Sequence, residues 1–361
     1  MENTINLIYN ILSRHLYGIR LCPFGSYRLS SNIDDSDLDL LCICPRTYCR
    51  ESTFETLPEY LKNQEGVSSL LVVKNTYVPV IKFTINNNIE IDLIFAFLTI
   101  QNIPNVVSSS FLQNQEEDLR SLQGLLTSEY IIQRVGRNNF EKFSNLLKKI
   151  KLWCVENEIY SNPLGLLNGV SLSIMCAKII LLYPNDPNPE NKFFEYYSDF
   201  DWENNIISIY HGNHQKIKKK LMNVYTPFDI PTNTLYNVDL SQYEKIKKCL
   251  KNPHVLYPFF TNNSDIYLMI TLVSNEKNIK NDIRFIESKL KVFSIYPVEY
   301  HTKCYCITEK RVLFFLKFTN NYNIKKEDIS QFIEQQFILK INNLIVNTDF
   351  IMYENLPPFV F

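Results

Sequence analysis

Apolar residues fall on strand spacing over 38–44, 70–73, 78–84 and 89–95, which predicts four strands in the first hundred residues. Residues 5–17 place Ile5, Ile8, Ile11, Leu12 and Leu16 on one face of a short helix, and 53–63 predicts a second helix between the first two strands. Asn86, Asn87 and Asn88 form the turn of a hairpin that brings 89–95 beside 78–84. From 102 to 252 the pattern becomes helical. Phe140, Phe143, Leu146, Leu147, Ile150 and Trp153 line one face of a helix over 140–156. Residues 164–182 are almost wholly apolar and predict a buried helix, ended by Pro184, Pro187 and Pro189. The stretch 203–242 is polar and rich in asparagine and carries no clear period. Beyond 253 the order becomes strand 266–274, helix 279–293, strands 303–308 and 312–318, helix 326–337 and strand 339–346.

This is the pattern of an α+β multidomain chain. An α/β unit occupies 19–100, and a helical unit follows over 101–252. A third unit over 253–361 has the strand–helix–strand–strand–helix–strand order of a ferredoxin-like, RNA-recognition-type module. The third unit lacks the aromatic signature with which such sheets stack bases.

The chemistry concentrates on the first unit. Phe24-Gly25-Ser26-Tyr27-Arg28-Leu29 precedes Ser36-Asp37-Leu38-Asp39-Leu40-Leu41 by about a dozen positions, and Asp92 stands on the run 89–95. An isolated Asp-x-Asp usually marks a solvated turn. Here Leu38, Leu40, Leu41 and Ile43 bury the strand, where carboxylates without a counter-charge are costly. Asp37 and Asp39, two apart, share a face. With Asp92 on a neighbouring strand, the three carboxylates can hold a pair of divalent ions. A Gly-Ser turn opening a helix offers N–H groups to a phosphate. Together these parts predict metal-dependent nucleotidyl transfer.

Composition narrows the setting. The chain has 361 residues, 45% hydrophobic and 21% charged, with a formal net charge of −1. It carries no general field for nucleic acid, so any contact with RNA needs local patches. Lys148, Lys149 and Lys151, then Lys216, Lys218, Lys219 and Lys220, then Lys245, Lys247, Lys248 and Lys251 are the candidates. No apolar run is long enough to cross a bilayer, and the first residues do not form a signal peptide, so no membrane partner is expected. Nine cysteines, an odd number without metal spacing, read as reduced core residues of an intracellular protein. His211 and His214 lie in a polar loop and form no metal pattern. There are only 8 glycines, so those kept at Gly25, Gly165 and Gly169 mark places where a Cβ would block a close approach.

The motif strings resemble those of eukaryotic nuclear poly(A) polymerases, within the DNA-polymerase-β-like nucleotidyltransferase superfamily. They include the two already quoted, Tyr77-Val78-Pro79-Val80-Ile81-Lys82-Phe83, Glu90-Ile91-Asp92-Leu93-Ile94-Phe95-Ala96, Ile150-Lys151-Leu152-Trp153 and Ile159-Tyr160-Ser161-Asn162. Gly169-Val170-Ser171, Leu182-Tyr183-Pro184-Asn185, Lys192-Phe193-Phe194 and Thr226-Pro227 follow in order. The resemblance implies a nucleotidyltransferase catalytic domain over 19–100, a helical middle domain over 1–18 and 101–252, and an RNA-binding domain over 253–361. It implies template-independent transfer of AMP from ATP to an RNA 3′-OH in mRNA 3′-end polyadenylation. Asp37, Asp39 and Asp92 are then the catalytic and metal-binding residues for two Mg²⁺ or Mn²⁺ ions. Phe24, Gly25, Ser26, Lys151, Tyr160, Gly169 and Val170 are placed around the nucleotide. Lys151 and Tyr160 suit the triphosphate, and Gly169 and Val170 suit the adenine. Cleavage and polyadenylation factors are the implied partners, and the nucleus the implied location. The chain departs from the family at Gln123 and in the glycine-free loop 30–35. A non-catalytic RNA-binding scaffold, or an RNA nucleotidyltransferase using another NTP, are the alternatives.

Overall fold

The computed structural model describes the chain except residues 34–35, 75, 87–88, 108, 211–219, 229–230, 262–265, 275–282, 284–285, 288, 297, 309, 319–325, 334, 336–343 and 359–361. Asp34, Asp35, Lys216, Lys218, Lys219, His211 and His214 therefore lie outside the described residues. Contacts divide the chain into two compact units, 1–148 and 149–361.

The first unit is built on a five-stranded sheet. Its strands are β1 (Arg20–Pro23), β2 (Leu38–Cys44), β3 (Val67–Val73), β4 (Val80–Ile85) and β5 (Ile89–Phe97), in the order β1-β2-β5-β4-β3. Only β2 and β5 run parallel, and such a pair needs a crossover. Helix α3 (Arg50–Lys62) and the β3–β4 hairpin supply it. The sequence pattern gives β2 at its observed limits. It places β3, β4 and β5 within three residues at each end and misses β1, which is short and half-buried throughout. β4 and β5 pair as the expected hairpin requires, with Ile85 opposite Ile89, while residues 87 and 88 of the expected turn lie outside the described residues.

The two faces of this sheet have different covers. Leu38, Leu40, Cys42 and Cys44 pack with Ile91, Leu93, Phe95 and Phe97 into a core that also takes Phe54, Leu57 and Leu61 of α3. Ile8, Ile11, Leu12 and Leu16 enter the same core from α1 (Glu2–Ser13) and the residues after it, so α1 packs on the sheet that the reading above assigns to a separate unit. That helix is amphipathic, and the sheet offers the apolar face it needs. On the other face Leu41, Ile43, Ala96 and Leu98 pack with Leu122 of α4 (Gln115–Val135). Gly136, at φ +73, stops α4 before α5 (Arg137–Glu156) begins.

Helix α4 is held by a buried charge. Asp118 is 1% exposed and accepts from Phe97 N at 3.1 Å, from Asn114 N at 2.9 Å and from the Arg50 guanidinium at 2.5 Å. Burial pushes its carboxyl above the usual carboxylate range, against the pull of all three donors. Arg50 also lies over the Phe97 ring at 5.2 Å. One carboxylate thus ties α3, β5 and α4 together.

In the second unit, α6 (Gly169–Leu182) begins at a capping box of Asn168 and Ser171 and is buried on nearly every side. It starts five residues later than the apolar run suggests, because 164–168 form turns and a bridge ahead of the cap. Helix α7 (Pro189–Ser198) is capped by Asn188, and α8 (Leu240–Lys251) by Asp239. Tyr197 OH donates to Met175 O at 3.0 Å, tying α7 to α6.

The C-terminal strands are β6 (Ile266–Ser274), β7 (Val298–Tyr300), β8 (Tyr305–Thr308), β9 (Arg311–Phe318) and β10 (Leu344–Ile351). They form an antiparallel sheet in the order β10-β6-β9-β7, with β8 also on β9. The strand expected at 339–346 lies at 344–351, and β7 is a three-residue strand too short to leave a pattern. The helix expected at 326–337 is described over Lys326–Phe332. Of that expected at 279–293, much lies outside the described residues. All nine cysteines are free thiols; five are buried as expected, but Cys49 and Cys306 are exposed, so the core reading fails for those two.

Removing Asp118 leaves the buried Phe97 N–H and the half-buried Asn114 N–H without their acceptor and leaves the Arg50 guanidinium only Glu117 and Phe95 O. Asp118→Ala should cost about 3–5 kcal/mol in urea unfolding, and Asp118→Asn, which keeps one acceptor, less. A loss below about 1 kcal/mol for the alanine variant would show that this tie does not hold α4.

Candidate active site

The parallel register of β2 and β5 sets Asp39 directly across from Asp92. Alternation then decides which way they point. Leu38 and Leu40, on either side of Asp39, enter the core under α1 and α3, so Asp39 belongs to the opposite face. The same holds for Asp92 between Ile91 and Leu93. Both carboxylates are half-buried at the end of that face which α4 leaves uncovered by apolar residues. Asp37 stands two residues before Asp39, just ahead of β2, and is likewise half-buried.

Two features close the carboxylate pair in. In the β4–β5 pairing Lys82 is the partner of Asp92, and its ammonium forms an ion pair with the Asp92 carboxylate. Gly25 opens α2 (Gly25–Arg28) against Asp39. A Cβ built on Gly25 would stand 3.1 Å from Asp39 Cγ and closer still to Oδ2. Gly25 also has φ +61, so both space and backbone demand glycine there. Phe24 N donates to Asp39 O at 3.1 Å, fixing the start of α2 to β2. Ser26 is the second residue of α2, and its carbonyl accepts from Ser31 N at 2.9 Å, which folds the 30–31 backbone back onto the turn. A Cβ on Gly124 of α4 would meet the Phe24 ring at 2.7 Å, so a second glycine allows that ring its place.

The remaining site residues lie in the second unit. Lys151, on α5, is 5% exposed, unlike the exposed Lys148 and Lys149 with which the sequence grouped it as a basic patch. Tyr160 forms a bridge with Leu167, and its hydroxyl is 3.2 Å from where a Gly169 Cβ would stand. Gly169 and Val170 are the first residues of α6, and Val170 is 40% exposed in a helix otherwise mostly buried. Tyr160, Gly169 and Val170 are thus brought together around the α6 start.

Two family models match in chain order: the poly(A) polymerase nucleotidyltransferase domain over residues 15–135 and the poly(A) polymerase central domain over 142–255. The chain belongs to the poly(A) polymerase family. It is 33% identical over 307 residues to a poly(A) polymerase of Dictyostelium discoideum, covering 75% of this chain. It is 34% identical over 196 residues to poly(A) polymerase PAPa of Candida albicans, covering 53%. The chain spans 38% and 35% of those relatives' lengths. A crystal structure of the Cid1 poly(U) polymerase with Mg 3′-dATP has the same fold, at TM-score 0.50 and 15% identity, covering 69% of this chain and 85% of that one.

For a member of the poly(A) polymerase family the donor set is telling. Carboxylate oxygens in register suit Mg²⁺ or Mn²⁺. Among the described residues no three His, Cys, Asp or Glu side chains are already drawn together to hold an ion. Lys82 explains part of this, since Asp92 is engaged by its ammonium. Lys82 is the residue that sequence reasoning passed over, counting it only within a motif string. The signal was present: a hairpin turned at 86–88 lays position 82 across from position 92.

Without Lys82 the two neighbouring carboxylates lose their counter-charge. Lys82→Met should lower metal-free stability by about 1 kcal/mol, and Mn²⁺ should raise the Tm of this variant more than that of the parent. Equal Mn²⁺ shifts in the two proteins would contradict the role given to Lys82.

Proposed function

We propose that the chain is a polynucleotide adenylyltransferase, adding AMP from ATP to RNA 3′ ends without a template. The observation that carries this is the Asp39–Asp92 pair, closed in by Gly25, in a chain of the poly(A) polymerase family. In this reading 19–100, with α1 and α4 packed on its sheet, is the catalytic domain, the helices over 142–252 are the middle domain and 253–361 is the RNA-binding domain. The order β10-β6-β9-β7 supports an RNA-recognition-type module at the C-terminus, being the fourth, first, third and second strands of that topology once β8 is set aside.

The reaction joins the RNA 3′ oxygen to the α-phosphorus of ATP and breaks the bond to the bridging oxygen, releasing pyrophosphate. Asp37, Asp39 and Asp92 would hold two Mg²⁺ or Mn²⁺ ions, which would supply a lowered pKa for the 3′-hydroxyl and charge stabilisation at the leaving pyrophosphate. Asp92 draws the 3′-hydroxyl proton away from the attacking oxygen. The Gly25 and Ser26 N–H groups, with the Ser26 hydroxyl, bind phosphate. Phe24 packs near the nucleotide, its ring placed by Gly124. Lys151 and Tyr160 donate to the triphosphate, where negative charge grows during transfer. Gly169 and Val170 pack on the adenine, and the exposed Val170 supports that role. Cleavage and polyadenylation factors are the proposed partners, and the nucleus the proposed location.

Incubating the chain with Mg²⁺, an RNA oligomer and each NTP separately should give a ladder with ATP. Asp39→Ala and Gly25→Ala should each lower the rate at least about a hundredfold. A ladder with UTP or CTP alone would move the chain to another RNA nucleotidyltransferase. No extension by a folded protein would leave an RNA-binding scaffold.

A further inference from the structure

Gly165 is one of the glycines that mark a close approach, and the adenylyl-transfer reading makes no use of it. It lies in the loop 161–168 between Tyr160 and Gly169, is buried, and has φ +73. A Cβ there would stand 2.6 Å from Asn237 O and 2.8 Å from Lys291 Cε. The groups that require glycine here are therefore two other segments of the same unit.

Three segments meet at this point. The loop is closed on itself: Gly165 N donates to Asn162 O at 3.1 Å, Leu166 N to Ser161 O at 2.9 Å and Leu167 N to Ile159 O at 3.0 Å. Residues 234–239, which lead into α8, hold it from one side. Asn237 Nδ2 donates to Asn162 O at 2.7 Å, and Thr234 O accepts from Asn168 Nδ2 at 2.8 Å. Asn168 caps α6 and so sets the position of Gly169. Lys291 arrives from the third segment, the short 3₁₀ turn Lys291–Ile295 ahead of β7. Its ammonium donates to Asn237 O and pairs with Asp239 Oδ2 at 3.3 Å. Both side chains of that pair are only 22% exposed. The α8 cap does not need the lysine, because Asp239 Oδ1 accepts from Gln242 N by itself.

We propose that Lys291 is a positioning residue for the nucleotide, fixing loop 161–168, and through it Tyr160 and Gly169, from the C-terminal part of the chain. The role rests on the adenylyl-transfer reading, in which Tyr160 meets the triphosphate and Gly169 the adenine. Lys291 acts on neither directly. Its charge-assisted hydrogen bond holds the Asn237 backbone, so that the Asn237 amide is aimed at Asn162 O, the same carbonyl that takes the Gly165 N–H. Without the ammonium the loop loses its outer support. ATP must then order Tyr160 and the α6 start as it binds, and that ordering weakens binding.

The test compares the parent with Lys291→Met, which keeps the side chain's length and removes its charge. Lys310→Met, which removes a charge from an exposed position just ahead of β9, is the control. In RNA extension Lys291→Met should raise the KM for ATP about fivefold or more, with kcat and the KM for RNA within about twofold of the parent. Lys310→Met should leave the KM for ATP unchanged. Hydrogen exchange supplies a readout without nucleotide: the Gly165, Leu166 and Leu167 amides should exchange about tenfold faster in Lys291→Met, while those of α7 exchange as in the parent. An unchanged KM for ATP overturns the proposal, and so does an equal rise in Lys310→Met. If the parent extends RNA with no nucleotide, the adenylyl-transfer reading fails, and exchange alone judges the hold on the loop: equal rates in parent and Lys291→Met overturn it.

Discussion

Everything in the proposed site depends on one pairing: β2 lies parallel to β5 with Asp39 beside Asp92. A slip of one residue would turn either carboxylate into the apolar core under α1 and α3. The register cannot slip cheaply, because Leu38, Leu40, Cys42 and Cys44 on one strand and Ile91, Leu93, Phe95 and Phe97 on the other are all buried on that side. Each buried Leu, Ile or Phe among them is worth about 1.5–3 kcal/mol. The hydrophobic core thus keeps two like charges adjacent on the other face, where they repel each other.

The neighbouring elements read as responses to that arrangement. Lys82 comes from the far side of β5 and neutralises Asp92. Gly25 lets the α2 backbone lie against Asp39, and Gly124 makes room for Phe24. Asp118, itself almost without exposed surface, fixes α4 to β5 and α3, so that α4 covers the apolar half of this face and stops short of the carboxylates. In the second unit the Asn168 cap places Gly169 beside the Tyr160 hydroxyl.

Much of this was legible in the residues, and the failures have physical reasons. Strands β2 and β6 are long and strongly apolar, and their limits follow from the pattern alone. Strands β1 and β7 are short and take their place from pairing partners, which a local period does not reveal. The start of α6 was misplaced because apolar residues at 164–167 continue the hydrophobic run through non-helical backbone; only the Asn168 cap marks the boundary. The carboxylates were legible because aspartate inside an apolar strand has no structural reason to be there. Lys82 was not singled out, since a lysine alternating with Ile81 and Phe83 resembles an ordinary solvated strand position. Asp118 was missed for the opposite reason: on a helix start crowded with acidic residues, nothing in the sequence distinguishes the one that is buried.

The most direct measurement is electron paramagnetic resonance of the chain titrated with Mn²⁺ in the presence of a non-hydrolysable ATP analogue. The account predicts a spin-coupled pair of ions, at the separation of about 3.5–4 Å typical of two-metal sites. It predicts that the coupled signal disappears in Asp39→Asn while Asp37→Asn and Asp92→Asn weaken it. Only the spectrum of free or isolated Mn²⁺, unchanged by these substitutions, would contradict it.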